Sequence, residues 1–548
     1  MQQKTIYGGN FMKKATKVIA SVAALGILAG SLCGCSGDKK STSDVIKNQK
    51  DVKDFQMWAI MDSAATQTLS SYNDMLMYQK MNEATGINVK FIHPVAGSDG
   101  SEAFNTLMAS GKLPDMIEVG WGAYDGGAEA AIEDGVIIAL NDYLEEYAPN
   151  YYDYVAGKKN EENDGLYGRQ AMTDSGNFYG FKALDIDTTR GFTGIYIRKD
   201  LLDQWGLDVP ETLDDWNKVL ETAKAKGIEK PITCNNSFAF SNGNNFFNTI
   251  YNVGKNFYLD DGKVKFAPYE DGFKDYTKLL ADWFAKGYID PGFVTNTTTE
   301  IEGNMANNIS IASIGSVGAS IGKIIPAARV NNPDFSLVAC PYPVAKKGDK
   351  PILQELHGEA NDPAIAITKS CGNYGNAMKW CDYLYSEEGR ILKIFGVEGD
   401  TYTKENGHYV YTDKIKNFES VGASSINGAL YKFMRPANAP GLNQDDDYLN
   451  GYYQYDEQKD AIKVWNEAVD EARKHVLPPV TYTADEQNEL TEIKELGEAN
   501  LNAGLTDIIR GKKDISEYDS LIKAAKEAGY DRALEINQDA YERYLARK

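Results

Sequence analysis

Three short apolar runs, Phe55–Ile60, Asn88–Ile92 and Asp115–Val119, alternate with helical stretches around Asn73–Glu83 and Glu102–Ser110. Runs of that length flanked by helices are strands of βαβ units, which implies an α/β chain built on an open parallel sheet. In such sheets ligands sit beyond the carboxyl ends of the strands. The loops Trp58–Asp62 and Gly120–Tyr124, which leave the first and third strands, therefore form a candidate site. The length of 548 residues exceeds what one core comfortably fills, so two lobes are expected.

A second unit starts at the strand-like Gly194–Ile197. Thr212 then caps a helix with Asp215 answering three residues on, Leu213, Trp216, Val219, Leu220 and Ala223 form its apolar stripe, and Gly227 ends it. Trp216 is thus a core residue. Ile309–Ile314 and Ala364–Ile367 read as later strands, Asn376–Tyr385 as a helix, and the chain from about Asp460 as mostly helical and charged. No repeat of solenoid period is evident.

The N-terminal region carries Lys13, Lys14 and Lys17, a short apolar stretch Val18–Gly30, and then Leu32-Cys33-Gly34-Cys35. A basic start, an apolar core too short to span a bilayer and a small-residue exit make a secretory signal. The placement of Cys35 resembles the acylation site of bacterial lipoproteins, with Ser36–Ser41 as a polar tether. Tyr7-Gly8-Gly9 can be encoded by a ribosome-binding sequence, so Met12 is the expected start and 1–11 an untranslated leader. The formal charge of −22 becomes about −26 once the four lysines of 1–34 are removed. Such a surface repels phosphate polymers, which excludes nucleic acid, and membrane attachment must come from the acyl group alone. Of six cysteines, Cys234, Cys340, Cys371 and Cys381 remain in the body of the chain, without the paired spacing of a zinc site. A Cys371–Cys381 disulfide is open on spacing, although Cys381 falls on the apolar face of its helix.

Five segments in order carry a family resemblance. They are Phe104–Asp115, Gly194–Leu202 with Pro210–Thr212, Trp283–Asp290, Ser386–Arg390 with Phe395–Asp400, and Asn537–Tyr544. With them the chain resembles the family-one extracellular solute-binding lipoproteins of carbohydrate ABC importers, the group related to maltose- and alginate-binding proteins. The resemblance implies a two-lobed periplasmic-binding-protein-like fold of type II, each lobe an open sheet flanked by helices, with ligand in the cleft between them. It implies crossings near Ala183–Phe192 and Glu359–Ala364. The expected division is 1–34 signal peptide, 35–52 lipidated tether, 53–187 first lobe and 188–360 second lobe. Residues 361–410 return to the first lobe, and 411–548 form a mainly helical segment completing the second lobe and hinge. Alginate-binding relatives carry a calcium loop where this chain has Gly227–Ile232 without a ligand array, so no metal site is expected there. The implied role is a non-catalytic receptor, without cofactor, acting as a monomer on the outer face of the cell membrane. It would be anchored through Cys35 and pass an oligosaccharide to ABC permease subunits.

Sugar recognition needs aromatic rings against the C–H faces of a pyranose, and amides or charged groups for the hydroxyls. Trp58 sits inside a strand, as core or cleft floor. Trp121 lies between flexible residues just past a strand end, and Tyr179 just before the expected crossing. The loop Asn235–Asn245 is dense in amides and aromatics, which makes Asn235, Asn236, Phe238, Phe240 and Asn244 candidates, with a turn cluster as the structural alternative. His357 and Glu359 precede the returning strand, and Arg435 could face ligand or make an ion pair. The competing reading is a tethered glycoside hydrolase, which needs two facing carboxylates. Glu398 and Asp400 are the one pair near in sequence that could be argued for it.

Overall fold

The computed structural model describes residues 46, 49–95, 97–187, 189–238, 240, 246–352, 356–443 and 445–547. The signal, Cys35 with most of the tether, and Asn244 lie outside these residues; Ile46 is buried, and 49–52 accept hydrogen bonds from Asn373, Tyr374 and Asn376, so this end of the expected tether 35–52 belongs to the folded body instead. The first sheet contains β1 (Asp54–Ala59), β2 (Asn88–Ile92), β3 (Met116–Val119) and β4 (Phe181–Asp185). The second contains β5 (Thr193–Arg198), β6 (Ile232–Thr233), β9 (Ala312–Ser316) and β10 (Leu337–Ala339). Between β6 and β9 comes a hairpin, β7 (Phe257–Asp260) and β8 (Lys263–Phe266). The chain then returns to the first sheet with β11 (Ala360–Ile367), makes the hairpin β12 (Tyr402–Glu405) and β13 (His408–Tyr411), and adds β14 (Gly441–Asn443).

The first sheet runs β14-β4-β11-β3-β1-β2 and the second β10-β5-β9-β6. The βαβ alternation gives the parallel pairing of β1 with β2 and β3. Neither sheet is purely parallel. β11 enters antiparallel between β3 and β4, because it comes back from the second lobe with no helical crossover to reverse it. β5 pairs antiparallel with both β9 and β10, and β6 pairs parallel with β9. The first lobe crosses to the second between β4 and β5, and the second returns between β10 and β11.

One expectation is corrected. β14 pairs parallel with β4 at Gly441–Asn443, so this part of 411–548 belongs to the first sheet rather than completing the second lobe. Three-residue strands carry too little pattern to announce themselves. The later helices, Ala484–Ile509, Tyr518–Glu527 and Tyr530–Ala546, pack on the helix Asp271–Ala285 and on β8.

Local signals hold where they are strong. Thr212 and Asp215 form a reciprocal capping box that starts the helix Leu213–Ala225, and its stripe buries Trp216, Val219, Leu220 and Ala223. Trp216 meets the edge of Phe247 at 5.0 Å, and Phe247 meets Trp283 at 5.1 Å. Cys371 and Cys381 are unpaired and buried, with the Cys381 Sγ 3.8 Å from the Met116 sulfur.

Candidate ligand-binding cleft

The parallel strands of the first sheet aim their carboxyl ends at the second lobe, and a cavity of about 750 Å³ opens on that side. One wall is the loop after β3 with the helix Gly127–Glu133, together with Tyr179, Lys182 of β4 and Asp362 of β11. The facing wall is the segment 479–483, the first turns of Ala484–Ile509 with Gln487 and Thr491, and Arg543 and Arg547 from the chain's last helical turn. Thr483 and Glu486 cap this long helix reciprocally, which fixes where its first turn faces the cavity. Gln487 Nε2 donates to Gly122 O at 3.4 Å, joining the walls.

The deepest polar group in the first wall is Lys182. Its ammonium donates to the Tyr179 hydroxyl at 2.7 Å and lies 3.0 Å from Asp362 Oδ1, to which the same hydroxyl donates at 3.4 Å. Burial alone would lower the Lys182 pKa, but Tyr179 and Asp362 outweigh it and hold the lysine charged well above its ordinary range. Burial raises Tyr179, so it stays a neutral hydroxyl. Across the cavity, Arg543 Nε and Arg547 Nη2 donate to Asp174 at 2.8 and 2.7 Å, and Arg543 also reaches Glu486 at 2.6 Å. Burial would raise the Asp174 carboxyl, and the two guanidiniums bring it below the ordinary carboxylate range.

Among the residues singled out by sequence, Trp121 and Tyr179 line this cavity. Trp121 is 0% exposed, its indole N–H donates to Ala364 O at 3.3 Å, and it meets Phe104 edge-on. It forms the floor and offers no ring face for stacking, which corrects the expectation of a sugar platform. Trp58 packs 6.2 Å from Phe104 in the same core. Phe238 and Phe240 fill the core of the second lobe against Phe293 and Phe266, while Asn235 and Asn236 are exposed and do not line the cavity. The Asn236 N–H donates to Phe293 O, and its φ of 38° marks a turn. Among the described residues of this loop, Asn235 and Asn236 sit in the turn and the two phenylalanines in the core.

His357 and Glu359 line an adjoining cavity of about 730 Å³ that shares Gln170 and Pro479 with the first. Glu359 is committed to Arg473 at 2.5 Å and Gln170 at 2.5 Å, with Arg190 at 3.6 Å. His357 sits edge-on to Phe192 at 5.0 Å, and burial lowers its pKa. Arg435 is buried in an ion-pair network inside the first lobe and makes no contact with either cavity, which corrects its candidacy. Glu398 is exposed, and Asp400 is held by Lys414 at 2.7 Å away from both cavities. Among the described residues no group of three or more His, Cys, Asp and Glu is arranged to hold a metal.

Sequence reasoning missed Lys182, Asp362, Gln487, Thr491 and Arg543. The capping pattern Thr483–Glu486 is the one local signal near them; the rest meet only through the fold.

A family model described as bacterial extracellular solute-binding protein matches residues 64–391. The chain belongs to this family. The solute-binding protein is 28% identical over 303 residues to the fructooligosaccharide ABC transporter substrate-binding protein FusA of Streptococcus pneumoniae, covering 51% of this chain and 53% of that protein. It is 28% identical over 424 residues to the lipoprotein LipO of Bacillus subtilis, covering 73% and 76%. The chain thus spans about half the length of the first relative. Its fold is that of the alginate-binding protein AlgQ2 in its form without calcium ion, with a TM-score of 0.66 at 22% identity over 90% of this chain and 99% of that one. The α/β architecture is therefore one that this chain shares with a two-lobed solute-binding protein, and the family itself is one of extracellular solute-binding proteins, not enzymes.

Proposed function

We propose that this solute-binding protein captures an oligosaccharide outside the cell and hands it to the membrane permease of an ABC importer. The observation that carries the reading is the cavity of about 750 Å³ between two lobes joined by crossing strands, a volume in the range that holds small ligands. Its groups suit hydroxyls: the Gln487 amide can donate and accept, and the Tyr179 and Thr491 hydroxyls, whose protons go to Asp362 and to Gln487 O, can accept. The sugar-binding relatives add support. We further propose that the protein acts as a monomer and is held at the outer face of the membrane by acylated Cys35, the arrangement of a Gram-positive cell, where a free receptor would diffuse away. Likeness to the lipoprotein LipO supports the anchor.

A thermal-shift screen across oligosaccharides tests the reading. A ligand at 100 times its Kd stabilises by ~2.7 kcal/mol, so a true ligand raises the melting temperature in a dose-dependent way and is recovered unhydrolysed. Release of shorter sugars would instead favour the hydrolase.

A further inference from the structure

We infer that the cleft is built for an uncharged oligosaccharide and rejects uronates and other acidic sugars; this deepens the oligosaccharide reading and rests on it. The argument is the charge balance of the cavity wall. Four cations line it, Lys182, Lys494, Arg543 and Arg547, and each already has an acidic partner. Lys182 is held by Asp362 at 3.0 Å, and Arg547 by Asp174 at 2.7 Å. Arg543 bridges Asp174 and Glu486 at 2.8 and 2.6 Å, and the exposed Lys494 lies 3.8 Å from Glu498.

The acids are not balanced in the same way. Glu129 accepts from the Asn177 amide at 3.0 Å and from the Ser175 N–H at 3.4 Å, both neutral donors. Glu133 is exposed on the next turn of the same helix. Neither takes part in an ion pair among the described residues, so the wall carries its uncompensated charge as carboxylate.

A sugar carboxylate is bound by a guanidinium or ammonium free to turn to it. Apart from the exposed Lys494 at the rim, every cation of the wall is hydrogen-bonded to an acid, so a sugar carboxylate inside the cavity would have to displace Asp174 or Asp362 and would do so beside Glu129. At Asp174 the displacement costs more than the new bond returns, because that largely buried carboxylate holds both guanidiniums and would lose them without regaining full hydration. A neutral sugar needs no such exchange. Its hydroxyls can donate to Glu129 and to Thr491 Oγ1 and accept from the Gln487 amide while the ion pairs stay closed.

The experiment is titration calorimetry on the full mature chain with oligomers of glucose, fructose, mannose and xylose, beside oligogalacturonate and oligomannuronate of matched length. The expected result is binding confined to neutral oligomers, with uronates weaker by at least about tenfold. A uronate that binds as tightly as the best neutral sugar overturns the charge inference and leaves the oligosaccharide reading standing. Failure of every sugar in both sets overturns that reading, and the inference falls with it. Asp362→Asn supplies a second test, since it frees the Lys182 ammonium without changing shape. The ratio of uronate to neutral affinity should rise several-fold; an unchanged ratio means that charge pairing does not set the preference.

Discussion

Arg435 shows how one residue's role depends on what surrounds it. Its guanidinium donates to both Glu118 oxygens at 2.8 and 3.0 Å, to Asp62 at 3.0 Å and to the Tyr78 hydroxyl at 2.9 Å, and lies over the Tyr72 ring. Every donor direction is used inside the first lobe. Arg435→Met should strand the buried Glu118 charge and lower the unfolding free energy by about 3–5 kcal/mol, read by urea denaturation, while the folded protein keeps its sugar affinity. Trp121 belongs to the same class. Trp121→Ala should cost about 3–5 kcal/mol of stability through an unfilled core; a variant with wild-type stability and weakened sugar binding would restore the stacking role that its burial denies.

Among the elements, the loop after β6 is joined to the end of the chain. Phe240 meets Phe266 of β8 edge-on at 5.6 Å and Tyr530 at 6.2 Å, and its N–H donates to Asn502 Oδ1 at 3.2 Å. Tyr530 begins the helix Tyr530–Ala546, whose other end supplies Arg543 to the cleft wall. A loop that reads locally as polar therefore positions one cavity wall through its aromatic residues. Phe240→Ala should cost about 3–5 kcal/mol and speed amide hydrogen exchange along Tyr530–Ala546 more than along Leu213–Ala225. Equal exchange in both helices would mean that this loop does not brace the C-terminal wall.

At the scale of the whole molecule, the lobes are connected by ion pairs as well as by chain. Glu359, at the start of β11, binds Arg473 and faces Arg190 of the crossing segment. Burial would raise its carboxyl, but the charges of Arg473 and Arg190 bring it below its ordinary 4.5. A carboxyl depressed on folding contributes stability above its unfolded value and loses it as pH falls through the folded one. Acidification below about 4.5 should therefore weaken the connection, and Glu359→Gln should flatten the acid limb of a melting temperature profile. Asp185, on the neighbouring β4, acts in the opposite sense: burial raises it to about 7, so its contribution is present at low pH and declines as pH rises from about 4 to about 7. Two lobes joined in this way should close when a ligand touches both. Small-angle scattering should show a smaller radius of gyration on saturation, and an unchanged one would count against closure. Cys35→Ala should leave folding and sugar affinity intact yet release the protein from the membrane fraction; retention of the mature mutant would refute the anchor.

Periodicity and capping were enough to place the first three strands and the helix Leu213–Ala225, because these depend on neighbours a few residues apart; the two lobes followed from chain length and from the family resemblance. Tryptophan burial at Trp216 followed from the same stripe. The site was different. Lys182 and Asp362 are separated by 180 positions and Asp174 and Arg543 by 369, and they meet only because β11 returns beside β4 and the last helix folds back over the first lobe. No local pattern distinguishes a tryptophan that caps a strand end in a core, as Trp121 does, from one that faces a sugar. Nor can it show that Arg435 spends all its donors within one lobe. Hydrogen-bond partners and solvent access are properties of packed neighbours, so the tertiary structure alone decided which polar residues of this chain face the cleft.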